Sequence, residues 1–344
     1  MSTDAAALPD AQADFWRQRA IVRFGLGTAI AMILAVTIEW SLAVVSPIFV
    51  AMMLGPPGVR LPQGAYTKLL IGVAITFAVG ILLVLIALPY ALMFVPLQAL
   101  LLFATFYKAE RGLNPLIVIM LLIAILMFPA LGLVNRSLAI DFALGFLGSL
   151  TIALTLCALA FAWLPSGPPP PKPEVTLPDE DTAFRNAWLS TVLVLPLLLF
   201  IYLTDRTGDL LVLVLVAILS QSPGLEAGSK AGLIMILANL VGGLAAILFY
   251  NLLVAVPMWI FFALLMVLSA LLFGQLMFTS PKGKLYATGF TTLLILISAT
   301  TSSSGGEAGE DLVTRIAQMM AATCYLALGA WVMRAFGWIR PKAG

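Results

Sequence analysis

Four cations stand at or near the starts of long apolar runs, in an order that recurs. Arg23 and Arg185 each open one run, 162 residues apart, and Lys68 and Lys230 each open another at the same offset. Between the members of each set lies a short, interrupted apolar segment. Residues 41–55 are broken by Ser46-Pro47, and 210–219 give only ten apolar positions before Ser220-Gln221-Ser222-Pro223-Gly224. Backbone groups freed at such breaks, followed by a cation at the next helix start, suit an anionic ligand. A carboxylate there gains from both the positive helix end and the ammonium. Lys68, Lys230, Arg23, Arg185, Ser46, Ser220 and Gln221 are therefore candidates for binding an organic anion. The same residues also fit tight turns with anchoring lysines.

Two carboxylates, Glu307 and Asp141, fall close to the ends of apolar runs. A desolvated carboxylate binds its proton more tightly, so either is a candidate for proton coupling. Glu307 stands in Ser302-Ser303-Ser304-Gly305-Gly306-Glu307, which reads more naturally as an external loop. The chain has no histidine, so a metal site built on imidazole is excluded and any proton relay rests on carboxylates, hydroxyls or water. Its two cysteines, Cys157 and Cys324, sit in apolar runs as small hydrophobes. No Walker motif, nucleophile elbow or carboxylate cluster is present, so neither enzyme chemistry nor a cofactor is expected. Asp205-Arg206-Thr207-Gly208-Asp209 has only a faint likeness to a major-facilitator loop and lacks the further basic residues.

The elements that must position these residues are membrane helices. The composition is 62% hydrophobic and 10% charged. Runs of roughly 20 apolar residues satisfy their own backbone groups only as helices when they cross lipid. The runs predict crossings at 22–38, 41–55, 68–88, 91–107, 115–133, 139–164, 186–203, 210–222, 231–253, 257–278, 285–300 and 312–335. On this layout 15 of the 18 Lys and Arg residues fall on one side, leaving Arg136, Arg206 and Arg315 on the other. The positive-inside bias makes the basic side cytoplasmic, with both termini inside. The expected setting is the bacterial inner membrane, with the lipid bilayer as the first partner. The net charge of +2 is spread thinly over many loops and gives no case for nucleic acid.

The Pro-rich stretch 165–185 is a stiff cytoplasmic linker that divides the chain. Residues 1–20 form an N-terminal tail, 21–164 a first six-helix repeat, 186–335 a second, and 336–344 a C-terminal tail. Within the N-terminal tail, Asp14 to Arg19 fit an interfacial helix or a frayed end. Gly80 and Gly242 recur at the offset of 162, and Phe94-Val95-Pro96 and Ala255-Val256-Pro257 at 161. Six crossings per half make the repeats parallel. The fold class is thus all-α: a polytopic membrane protein of about 12 helices in two parallel repeats.

An Arg opening a hydrophobic helix, a short second helix ending in Pro-Gly, and a basic residue leading a Gly-containing third helix occur in both halves. The third helices begin Lys68-Leu-Leu-Ile-Gly72 and Lys230-Ala-Gly-Leu233. This pattern resembles the fusaric-acid-resistance and aromatic-acid-exporter superfamily of inner-membrane proteins. Lys stands here where members carry Arg-x-x-Gly-Thr, and the linker replaces their large cytoplasmic domain. The resemblance implies an efflux permease for aromatic or other organic acids, working with a periplasmic adaptor of the membrane-fusion type. Related plant proteins are anion channels.

The leading expectation is a secondary exporter of organic anions, proton-coupled or not, and able to form a homo-oligomer. Gln98 and Phe94, or Trp259 and Phe261, are candidates for an aromatic-lined path. An anion channel of the same fold and a non-transporting scaffold for an envelope complex are the alternatives.

Overall fold

The computed structural model describes residues 10–38, 42–60, 62, 64–167, 177–204, 210–220, 225–301 and 308–335. Among them there are twelve helices and no strand. They are α1 (Asp10–Ile38), α2 (Val45–Leu54), α3 (Ala65–Leu82), α4 (Ala91–Glu110), α5 (Pro115–Val134) and α6 (Arg136–Trp163). After the linker come α7 (Glu180–Leu203), α8 (Leu210–Leu219), α9 (Leu225–Ala255), α10 (Trp259–Thr279), α11 (Gly283–Thr301) and α12 (Ala308–Ala335). Each expected crossing has its helix.

The boundaries move where polar residues hold extra turns. α1 starts at Asp10, well before the expected residue 22, and the segment foreseen as an interfacial helix is continuous with it. Arg17 pairs with Asp14, and the Arg19 guanidinium lies 5.1 Å from the Phe15 ring centroid and 5.7 Å from that of Trp16. Such pairs three and four residues apart support a helix that has no apolar face of its own. α7 starts six residues early because Asp179 caps it, accepting from the Thr182 amide, with Glu180 and Asp181 in the first turn. α3 continues as a π-helical turn, Leu83–Ala87, immediately before Leu88-Pro89 ends the run.

Among the described residues, eight helices are long and apolar enough to cross a membrane. Large apolar side chains such as Leu92 and Leu203 are left uncovered by protein. Exposed Trp163 ends α6 and exposed Trp259 begins α10, as aromatic residues do at a headgroup boundary. The chain is a polytopic membrane protein. α2 and α8 differ from the rest: each has ten residues, about 15 Å of helix, half the hydrocarbon thickness.

Two compact units form, and they do not coincide with the two halves of the chain. One comprises 1–66, 148–172 and 238–312; the other comprises 67–147, 173–237 and 313–344. In the first, α1 packs on α2 and α10, α10 on α11, and α2 on α11. Gly25 and Gly274 let α1 and α10 approach: a Cβ on Gly25 would lie 2.5 Å from the Leu271 side chain, and one on Gly274 3.0 Å from Phe24. Phe24 then meets Phe290 at 5.3 Å and Phe278 at 6.4 Å between ring centroids. In the second unit, α7 packs on α8 and α4, α4 on α5, and α8 on α5. Phe77 packs edge-on against Phe128 and Phe146. The four most extensive helix pairings of one unit become those of the other when every helix number is advanced by six, counting on from α12 to α1. The offset seen in the sequence therefore has a counterpart in packing.

Candidate anion-binding site

Arg23 sits in α1 at the level where two other helices of its unit end. Its side chain is covered by protein, with the residue only 1% exposed. Nη1 donates to the Leu164 carbonyl, just past the end of α6, at 2.9 Å, and Nη2 donates to the Gly58 carbonyl in the turn after α2. The guanidinium carbon stands 4.2 Å from the centroid of Phe161. The carbonyl past the end of α6 is a negative helix end, so the contact favours a cation. Gly58 has φ +63, which only glycine adopts freely, and a Cβ there would lie 3.2 Å from Nη2. The Pro-Gly ending of the short second helix is thus what lets a backbone carbonyl reach the arginine.

Two carbonyls do not complete the coordination of a guanidinium. Arg23 Nε is buried without a hydrogen-bond partner, and no carboxylate among the described residues pairs with this side chain. A covered charge without a counter-ion is costly, since no carboxylate among the described residues offsets the hydration it gives up. The side chain lines a cavity of about 210 Å³ with Trp16, Arg17, Ala20, Pro57, Val59, Ser166 and Phe278 among its walls. Trp16 Nε1 is a second buried donor without a partner. The site thus presents donors and positive charge with apolar walls, which is the chemistry of an oxyanion pocket.

The remaining candidates are spread more widely. Lys68 and Arg185 are exposed, as is Asp141 in the second turn of α6. Arg185 helps Thr182, whose hydrogen bonding is the main cause, to hold the Asp179 carboxyl below its usual range. Ser46 is buried near the start of α2. The Ser220 hydroxyl donates to the Ala217 carbonyl at 2.9 Å, and its own carbonyl accepts from the Ser190 hydroxyl at 3.1 Å, fastening the end of α8 to α7. Lys230 falls in α9 with its side chain outside the description, and Gln221 and Glu307 lie outside the described residues. Of the named cations, Arg23 alone among the described side chains is fully covered, whereas its counterpart Arg185 is exposed. The halves match in helix order and differ at this residue.

Gln98 and Phe94 do come together in the second unit, with Tyr202, but as packing and not as an open path. Gln98 is fully buried; its Nε2 donates to the Ile125 carbonyl at 2.7 Å and to the Tyr202 hydroxyl at 3.0 Å. Pro129 explains the first bond. It lies four residues after Ile125 and has no N–H to give, so the carbonyl takes a side-chain donor from α4 instead. Tyr325 makes a second side-chain bond to a helix backbone, donating to the Leu193 carbonyl of α7 at 2.8 Å. Trp259 is exposed and Phe261 half-buried.

Fold and site together define a polytopic helical membrane protein with a cationic cavity at the membrane-entry end of its first helix. Residues 20–160 match a family described as a protein of unknown function, DUF2955. That stretch includes Arg23, the Pro-Gly turn after α2 and most of α6. No curated protein and no solved structure matches the chain. Sequence reasoning named Arg23 and the Pro-Gly turn separately but missed Trp16 and Val59. Trp16 reads from sequence as a headgroup anchor, and only the extension of α1 brings it over the cavity.

Proposed function

We propose that this protein is a secondary transporter that exports small organic anions, aromatic carboxylates in particular, across a bacterial inner membrane. One observation carries the reading: the covered Arg23 guanidinium lines a cavity and has no carboxylate partner among the described residues. A protein that holds a cation this way without a counter-ion gains when an anion arrives. The cavity walls belong to segments that the charge pattern assigns to the cytoplasmic face, near Trp16, Val59, Ser166 and Phe278. Arg60, Lys282 and Lys284 flank the same helix ends in sequence and raise the local anion concentration. Short α2 and α8 supply the broken helices on which transporters commonly build their sites. The superfamily resemblance supports the choice of aromatic acids and a membrane-fusion adaptor as partner.

The test is flux of labelled hydroxybenzoate in proteoliposomes under an imposed proton gradient, with and without a protonophore. Gradient-driven flux that falls at least tenfold in Arg23→Gln is the expected result. Flux unaffected by the gradient would instead favour a channel, and no flux of any organic anion would end the transport reading.

A further inference from the structure

Two donors in the first unit share one situation. Trp16 Nε1 and Arg23 Nε are each buried, each without a partner, and their side chains line the same cavity. The fold holds both side chains against glycines. A Cβ on Gly167 would lie 2.9–3.2 Å from three atoms of the Trp16 indole, and one on Gly58 would lie 3.2 Å from Arg23 Nη2. Any larger residue at either position would displace a donor. Burying an N–H without an acceptor costs free energy in each case, so each donor favours an acceptor brought to the cavity its side chain lines.

We infer that Trp16 Nε1 and Arg23 Nε bind the oxyanion of a small free acid in this cavity, with Trp16 as a recognition residue. The inference rests on the anion reading of Arg23 above and adds the second donor and the ligand's size. At about 210 Å³ the cavity lies below the roughly 300 Å³ at which sites for drug-sized molecules begin. It suits a single ring or short chain bearing one charged group. Pro57, Phe278 and the indole face supply apolar surface for the body of such a ligand, and the donors supply its head. Arg17 also lines the cavity but is paired with Asp14, which leaves Arg23 as the one unpaired guanidinium among the lining residues. A monoanion is therefore favoured over a dianion.

The probe is benzoate, titrated calorimetrically into the full chain in nanodiscs of zwitterionic lipid, with benzamide as the neutral isostere. Trp16→Phe keeps the ring and removes the N–H, so benzoate should bind about tenfold more weakly. Gly167→Ala, which alters no donor but crowds the indole, should weaken it as well. Benzamide should bind at least tenfold more weakly than benzoate. Unchanged benzoate affinity in Trp16→Phe, with unchanged thermal unfolding, would overturn the role of Trp16. Loss of benzoate binding when one third of the lipid is anionic would also overturn the assignment, because the occupant would then be a lipid headgroup. The proteoliposome flux separates this inference from the proposed function. Hydroxybenzoate flux with a Trp16→Phe affinity like that of the wild type sinks the inference alone. Trp16-dependent binding without flux sinks the transport reading alone.

Discussion

Gln98 shows how a residue that looks functional in sequence is used by the backbone. Its amide replaces the N–H that Pro129 lacks, so the two residues form one device although they sit on different helices. Gln98→Leu should destabilise the protein by about 1–2 kcal/mol, since interhelical bonds in lipid are modest but the Ile125 carbonyl would be left alone. In a Pro129→Ala background the new amide serves that carbonyl, and the same substitution should cost at least about 0.5 kcal/mol less. Additive effects in reversible unfolding would show that the two are not coupled. Arg23 lies at the other extreme. Its place at the start of an apolar run was legible, because a charge is expensive within one. Its partners were not, since both are backbone carbonyls distant in sequence, Gly58 and Leu164, and carbonyls leave no residue signature. The contrast with Arg185 was equally hidden. Both arginines open equivalent apolar runs, yet only Arg23 is covered, with the Gly58 carbonyl of a Pro-Gly turn against it.

At the scale of elements, helix type and number could be read from apolar run length, because lipid leaves a crossing segment no other way to satisfy its backbone. The starts of α1 and α7 could not, since they depend on capping and charge pairs outside the apolar runs. The Asp179 cap offers a pH test. Its carboxyl titrates below the ordinary value near 3.9 because Thr182 bonds the charged form. The stabilisation it gives α7 is therefore complete above the ordinary carboxylate range and is lost as pH falls through the lowered value. Protection of the first-turn amides of α7, taken against the intrinsic exchange rate at each pH, should fall on that descent, and Asp179→Ala should show the lower protection at every pH. Close approach of helices is a second element property, set at the α1–α10 contact by Gly25 and Gly274. Gly25→Ala should lower thermal stability by about 1–3 kcal/mol through its clash with Leu271, and Leu271→Ala should recover part of that loss. Equal losses in the presence and absence of Leu271 would mean that α1 and α10 adjust freely.

Across the whole molecule the sequence divides at the Pro-rich linker, whereas packing divides the helices differently. α1 and α2 are completed by α10 and α11, and α7 and α8 by α4 and α5. Sequence offsets can reveal a repeat, but they carry no record of which copy a helix packs against, because apolar faces of similar composition fit many partners. The exchange has a consequence for assembly. A fragment covering 1–172 contains α1 and α2 without α10 and α11, and α4 and α5 without α7 and α8. It would leave the Gly25 face of α1 and the Phe94 and Gln98 face of α4 uncovered, and lipid replaces neither Leu271 nor the Tyr202 hydroxyl. The two fragments 1–172 and 173–344, made separately, should therefore be degraded or fail to resist protease. Made together in one cell they should co-purify and regain the protease pattern of the intact chain. A first fragment that resists protease alone would show that each half folds by itself, and that the exchanged pairings form only after two finished domains meet.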